Sequence, residues 1–168
     1  MSDQFKEHLV KKEPTAMDRL TRAAAIAFPA LLAAAGIVLY PPVLLVAIIL
    51  GIISYFIIFP STDIEYEYLL VNRSLDVDKV LSKQKRKKVK SFDLATAEII
   101  APLNSHRLDY YNGNSQIKTL DYSSGNPQHK RFAFVIRESG EAVKVIFEPD
   151  EDMARMMQQT MPGKCHLD

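Results

Sequence analysis

The chain has 168 residues, with 21 Lys and Arg against 20 Asp and Glu, 48% hydrophobic residues, one Cys and no Trp. A net charge of +1 argues against a generally basic nucleic-acid binder, and a single Cys excludes a disulfide scaffold. The near-neutral sum hides an uneven distribution, because the basic residues cluster while the acids are scattered.

Residues 1–22 mix Lys6, Lys11, Lys12, Arg19 and Arg22 with Asp3, Glu7, Glu13 and Asp18. The part before Pro14 is open to two readings: a helix lying at a membrane interface with Phe5, Leu9 and Val10 on one side, or a polar tail. Residues 1–20 are set apart as a polar N-terminal segment.

From 23 to 59 run 37 residues without Lys, Arg, Asp, Glu or His. One helix of that length would extend about 55 Å, against the roughly 30 Å hydrocarbon core that about 20 residues cross. Tyr40, Pro41 and Pro42 supply the break, since two prolines remove two donors and push the residue before them out of the α region. Residues 21–60 are thus predicted to form a two-helix transmembrane hairpin, with spans at about 21–39 and 42–60. A secretory signal fits poorly, because 22 polar-rich residues precede the apolar run and two spans follow. The small-residue pair Ala30 and Ala34 allows close helix approach, which favours packing within the hairpin and leaves open assembly with another subunit.

Five basic residues lie within about 20 residues of the first span and none lies in the turn, so the positive-inside rule places both ends of the hairpin in the cytoplasm. The expected location is the cytoplasmic membrane, multi-pass. The lone Cys165 fits a reducing compartment.

Beyond Ser61 the pattern changes to period two. Residues 64–71 put Ile64, Tyr66, Tyr68 and Leu70 on one face, and 75–81 put Leu75 and Val77 on a common face, with turns at 72–74 and 82–84. Strands are expected at 86–94, 97–103 and 117–122. A clear hairpin follows, in which Phe132, Phe134 and Ile136 alternate, Ser139-Gly140 turns, and Val143, Val145 and Phe147 alternate. A closing helix is predicted at about 150–161, with Asp150 as N-cap, Glu151 and Asp152 in the first turn, and Met153, Met156, Met157 and Met161 covering the sheet. Residues 162–168 are expected as a tail.

This series of strands running into one C-terminal helix resembles the pleckstrin-homology-like superfold. The runs Ile64-Glu65-Tyr66-Glu67-Tyr68-Leu69-Leu70-Val71, Leu75-Asp76-Val77-Asp78-Lys79-Val80, Lys85-Arg86-Lys87-Lys88-Val89 and Phe92-Asp93-Leu94 resemble bacterial membrane-associated PH-like domains over roughly residues 62–161. With its two-span anchor, the chain is similar to small bacterial two-span membrane proteins. The fold class is therefore α+β: a transmembrane helical hairpin followed by a mostly antiparallel β PH-like domain with a C-terminal helix. The resemblance implies no catalytic residues, and fold does not fix function.

Lys79, Lys83, Lys85, Arg86, Lys87, Lys88 and Lys90 form the strongest polar feature, with no acid among them. A strand of eight residues covers about 26 Å, so one leaving the membrane and one returning would bring the turn at 82–84 back toward the bilayer. Each basic residue near an anionic leaflet is worth about 1 kcal/mol within a Debye length of roughly 8–10 Å. Lys79, Lys83, Lys85, Arg86, Lys87 and Lys88 are therefore candidate membrane-surface contacts, against an ordinary solvated strand and turn. A nucleic-acid partner is not expected, since the run lacks interleaved aromatics. The acids Asp63, Glu65, Glu67, Asp76 and Asp78 alternate as on a solvated sheet edge.

Catalytic signals are poor. His8, His106, His129 and His166 fall in separate contexts, and Cys165-His166 supplies too few ligands for zinc, so neither metal nor cofactor is expected. The apolar run 23–59 contains no Lys, Arg, Asp, Glu or His with which to move an ion. The chain is expected to be a non-enzymatic scaffold or adaptor at the cytoplasmic membrane surface. The alternative is an accessory subunit of a transporter or envelope-biogenesis complex. Expected partners are the bilayer itself, anionic lipid headgroups and another membrane protein.

Overall fold

The structure is a computed structural model and describes residues 5–168. Contacts divide the chain into a hairpin unit, residues 13–65 with 80–86, and a β unit containing residues 66–79 and 87–168 with the N-terminal strand.

In the hairpin unit, α1 runs Ala16–Val38 and α2 runs Val43–Thr62. Helix α1 begins before the predicted residue 21 because Thr15 and Asp18 form a capping box. The Thr15 Oγ1 accepts from the Asp18 N–H at 3.1 Å, and the Thr15 N–H donates to Asp18 Oδ2 at 2.9 Å. At the other end, Leu39 to Pro42 connect the helices, and the carbonyls of Tyr40, Pro41 and Pro42 receive the first α2 donors, Val43, Leu44 and Leu45. Gly36 lies against Leu44, where an added Cβ would sit 2.9 Å from the Leu44 backbone nitrogen, so glycine permits this approach of the helices. Arg22 Nε donates to Thr62 Oγ1 at 2.6 Å and ties the start of α1 to the end of α2.

The inward positions of α1 are Ala25 and Gly36 and those of α2 are Ala47 and Ser54. Ala30 and Ala34 are instead exposed, which corrects the expectation that this pair packs the hairpin. The 3.6-residue period places residues 30 and 34 on a different stripe from Ala25 and Gly36. In the most apolar window of each helix only 6% of α1 and 11% of α2 residues are buried, whereas the core helix of a soluble protein is mostly buried. Two helices long and apolar enough to cross a membrane thus present their apolar side chains outward. Near the end of α2, Ser54–Ile58 forms a π turn, in which the Phe59 N–H reaches back to the Ser54 carbonyl.

Among the described residues, eight strands form two sheets: β1 Phe5–Lys11, β2 Ile64–Val71, β3 Ser74–Leu81 and β4 Lys85–Asp93 in the order β1-β2-β3-β4, and β5 Ile99–Pro102, β6 Lys118–Asp121, β7 Phe132–Glu138 and β8 Glu141–Phe147 in the order β5-β7-β8-β6. Strand β1 corrects both readings of the N-terminal segment, as neither helix nor free tail is present at residues 5–11. Its Phe5 and Leu9 are spaced as on one helical face, but pairing with β2 satisfies the backbone instead. The β7–β8 connection is a two-residue turn with both φ positive, Ser139 at 53° and Gly140 at 89°, matching the Glu138↔Glu141 register. Strand β6 pairs parallel to β8, while β5–β7 and β7–β8 are antiparallel.

Tyr68, Leu70, Leu75, Val77, Phe92, Phe134 and Phe147 are buried. Their rings interlock edge-to-face, Phe92 with Phe134 at 5.1 Å, Phe134 with Phe147 at 5.4 Å and Tyr68 with Phe147 at 5.9 Å, which joins the two sheets. The helix α4, Glu151–Thr160, buries Met153 and Met157, with Met161 just beyond its end. Asp150 caps it by accepting from the Met153 N–H at 2.8 Å.

Ala133 and Val135, on the opposite face of β7, are also buried, in a second cluster with Ala101, Leu108 and Ile146. The segment carrying a 3₁₀ turn at His106–Leu108 and the short helix α3, Asp109–Gly113, contributes to that cluster through Leu108 and Tyr111. Residues 162–168 are not a loose tail. Ile100 N–H donates to the Lys164 carbonyl and His166 N–H to the Ile100 carbonyl, both at 2.9 Å, and Cys165 is 1% exposed. Glu67 is also buried, at 4% exposure, which corrects its assignment to a solvated edge; β1 flanks β2, so β2 is an interior strand.

Glu98 links β7 to α3. It accepts from Arg137 Nε at 2.5 Å and from the Tyr111 hydroxyl at 2.8 Å, and these two bonds hold its carboxyl below the ordinary value of about 4.5. A lowered folded-state pKa contributes stability that is present above the unfolded value and lost as pH falls through the folded one. Thermal melts between pH 6 and pH 3 are therefore expected to show an acid limb that flattens in Glu98→Gln; an unchanged limb would remove Glu98 from acid unfolding.

Candidate functional site

The tip joining β3 to β4 is built by a tight turn in which the Gln84 N–H donates to the Leu81 carbonyl at 3.1 Å. Both central residues are left-handed, Ser82 at φ 47° and Lys83 at φ 56°, a conformation that non-glycine residues hold only when their surroundings dictate it. Part of that constraint is visible. The Ser82 N–H donates at 2.9 Å to the carbonyl of Asp63, the residue that ends α2.

A groove of about 630 Å³ lies between this tip and the last turns of α2. Tyr55, Phe56, Ile57, Phe59 and Pro60 form its apolar wall, and Leu81, Ser82, Gln84 and Lys85 form the other.

The structure divides the predicted contact residues. Lys83, Lys85 and Arg86 lie on the tip, in the hairpin unit, and are exposed. Lys79, Lys87 and Lys88 belong to the β unit. There Lys88 pairs with Asp76 at 3.3 Å, and Lys90 pairs with Glu138 and sits over the Phe92 ring. Tyr40, Pro41 and Pro42 form the connection at the opposite end of the hairpin.

Sequence reasoning missed a second cavity, of about 780 Å³, within the β unit. His8, His129, Lys130, Phe132, Glu148 and Asp150 are among its lining residues. His8 comes from β1 and His129 from the loop before β7, so only the sheet pairing brings them to one cavity, and no local motif announces it.

Ser124, His129 and Glu148 superficially suggest a nucleophile with its base and orienting acid. The geometry is wrong for that chemistry. Both Ser124 Oγ, at 3.3 Å, and Glu148 Oε1, at 2.7 Å, approach the same nitrogen, His129 Nδ1, which cannot take a proton from one while donating to the other. Ser124 is buried, and its own N–H donates to Glu148 Oε2 at 3.1 Å, so the cluster clasps the loop before β7 to the end of β8.

Lys6 bridges Asp150, which lines the same cavity, and Asp152, each at 3.0 Å, and so anchors β1 at the start of α4. Burial pushes the Asp150 carboxyl up, but the Met153 N–H and the Lys6 ammonium outweigh it and leave the group below its ordinary value. Lys6 is raised, chiefly by its bonds to Asp150 and Asp152. Among the described residues no group of three or more His, Cys, Asp and Glu is placed to hold a metal ion.

No curated protein and no solved structure matches the chain. One family does, described as Bacterial PH-like domain (DUF6106), and the match covers residues 2–167. It takes in the N-terminal strand, both apolar helices and the C-terminal segment that closes on β5, which agrees with a β unit assembled from both ends of the chain. The chain belongs to this family of bacterial PH-like domains.

Proposed function

We propose that the protein is a non-enzymatic, membrane-anchored PH-like module that serves as a scaffold or adaptor at the cytoplasmic face of the plasma membrane. The observation that carries this reading is the tip carrying Lys83, Lys85 and Arg86, tied by the Ser82–Asp63 bond to the end of an apolar helix. With α1 and α2 in the bilayer, both chain ends emerge on one side, and the basic residues before α1 make that side cytoplasmic. The tip cations then stand within reach of the anionic leaflet, at about 1 kcal/mol each.

The full chain reconstituted in liposomes tests this, with a fluorophore on Gln84→Cys and quenchers in the headgroup layer. Quenching is expected to be stronger in phosphatidylglycerol than in phosphatidylcholine and to lose that difference when Lys83, Lys85 and Arg86 are all changed to Gln. Equal quenching in both lipids would sink the electrostatic part of the reading.

The outward-facing Ala30 and Ala34 favour a second reading, an accessory subunit whose α1 packs against another membrane protein. A stoichiometric partner retained in mild detergent and lost in Ala30→Leu would support it. A monodisperse protein without a partner would favour the first reading.

A further inference from the structure

We propose that the groove between the end of α2 and the β3–β4 tip is a saturable site for one anionic glycerophospholipid. The inference rests on the membrane-anchored reading above and goes further, because a site of fixed stoichiometry is a different thing from diffuse attraction to a charged surface. The two walls of the groove differ in character. The helix wall carries Tyr55 and Phe56, 67% and 69% exposed, together with Phe59, and Tyr is a residue type enriched where a span leaves the hydrocarbon. The other wall ends in Ser82, Gln84 and Lys85.

Such a space fits an amphipathic molecule, with glycerol and upper acyl chain along the rings and phosphate at the tip. At about 630 Å³ the groove falls within the range of sites that enclose a small ligand.

One further observation favours an anionic lipid over a bare apolar occupant. Among the described residues, no carboxylate lies within ion-pair distance of Lys83 or Lys85, unlike Lys88 and Lys90, whose charges are already paired. Lys85 is therefore assigned to the phosphate and Phe56 to the acyl chain.

The full chain in mixed micelles, read by native mass spectrometry, separates a site from a field. One phosphatidylglycerol per chain is expected to be retained in preference to phosphatidylcholine. Lys85→Gln should weaken retention by about fivefold, the equivalent of about 1 kcal/mol for one basic residue near a lipid surface, Phe56→Ala should also weaken it, and Lys88→Gln should leave it unchanged. Phe56 is exposed, so its truncation opens no cavity in the fold.

If Lys88→Gln weakens retention as much as Lys85→Gln, the attraction is diffuse and the site is overturned, while the anchored reading stands. If glycerol phosphate displaces the lipid at equal concentration, the groove recognises phosphate alone and the lipid assignment fails. If neither lipid is retained although α1 and α2 insert, the site fails alone; if the helices do not insert, the anchored reading fails with it.

Discussion

Phe134→Ala is expected to lower the stability of the β unit by about 3–5 kcal/mol, the usual cost of deleting a buried aromatic ring. Phe134 has no exposed surface and sits between the rings of Phe92 and Phe147, at 5.1 Å and 5.4 Å, where the two sheets meet. Its strand, β7, lies between β5 and β8, with Phe134 opposite Ile100 on one side and Val145 on the other, so a cavity there cannot be closed by a loop shifting inward. Domains of this size are stable by only about 5–15 kcal/mol, so the loss approaches the whole margin at the lower end. Circular dichroism of the full chain in detergent should show the β signal melting roughly 15 °C or more below wild type, at about 4–8 °C per kcal/mol. Tyr110→Ala, removing a ring that is 72% exposed, should shift the melt by no more than a few degrees. A Phe134→Ala melt as small as that would show that the aromatic cluster does not hold the sheets together.

The parts of the fold legible in the sequence were those determined by neighbours along the chain. Two prolines after Tyr40 broke the apolar run, and the structure ends α1 at Val38 and begins α2 at Val43. Alternation found the strand faces, with Tyr68, Leu70, Leu75, Val77, Phe134 and Val145 all buried. Asp150 marked the start of the closing helix, and Met153 and Met157 its inner face.

The parts not legible depend on distant pairing. Phe5 and Leu9 carry the same spacing whether β1 is a strand or a helix, and only β2 decides between them. Cys165 lies in a polar tail with no periodic signal, yet its bridge to Ile100 buries it. The apolar Ala133 and Val135 between Phe132, Phe134 and Ile136 did signal a strand covered on both faces, a clue that alternation alone obscured.

The candidate site divides the same way. Its cations were plain in the sequence, but their division was not: the left-handed Ser82 and Lys83, and the bond to Asp63, place three of them on a tip beside α2. The His8 and His129 cavity had no local signature at all. Its partners arrive from β1, the loop before β7, the end of β8 and α4, and the clasp they make is structural.

The insertion of α1 and α2 as a hairpin with both chain ends on one side is tested most directly by the sidedness of single cysteines. Cys165 is a silent background, since burial pushes its thiol up to about 11 and the thiolate is the reactive species. Glu7→Cys, Tyr40→Cys and Gln84→Cys are each exposed positions for an impermeant maleimide, applied to inverted membrane vesicles and to spheroplasts. Labelling of residues 7 and 84 only in inverted vesicles, and of residue 40 only in spheroplasts, is the predicted result; residues 7 and 84 on opposite faces, or residue 40 sharing their face, would contradict the hairpin.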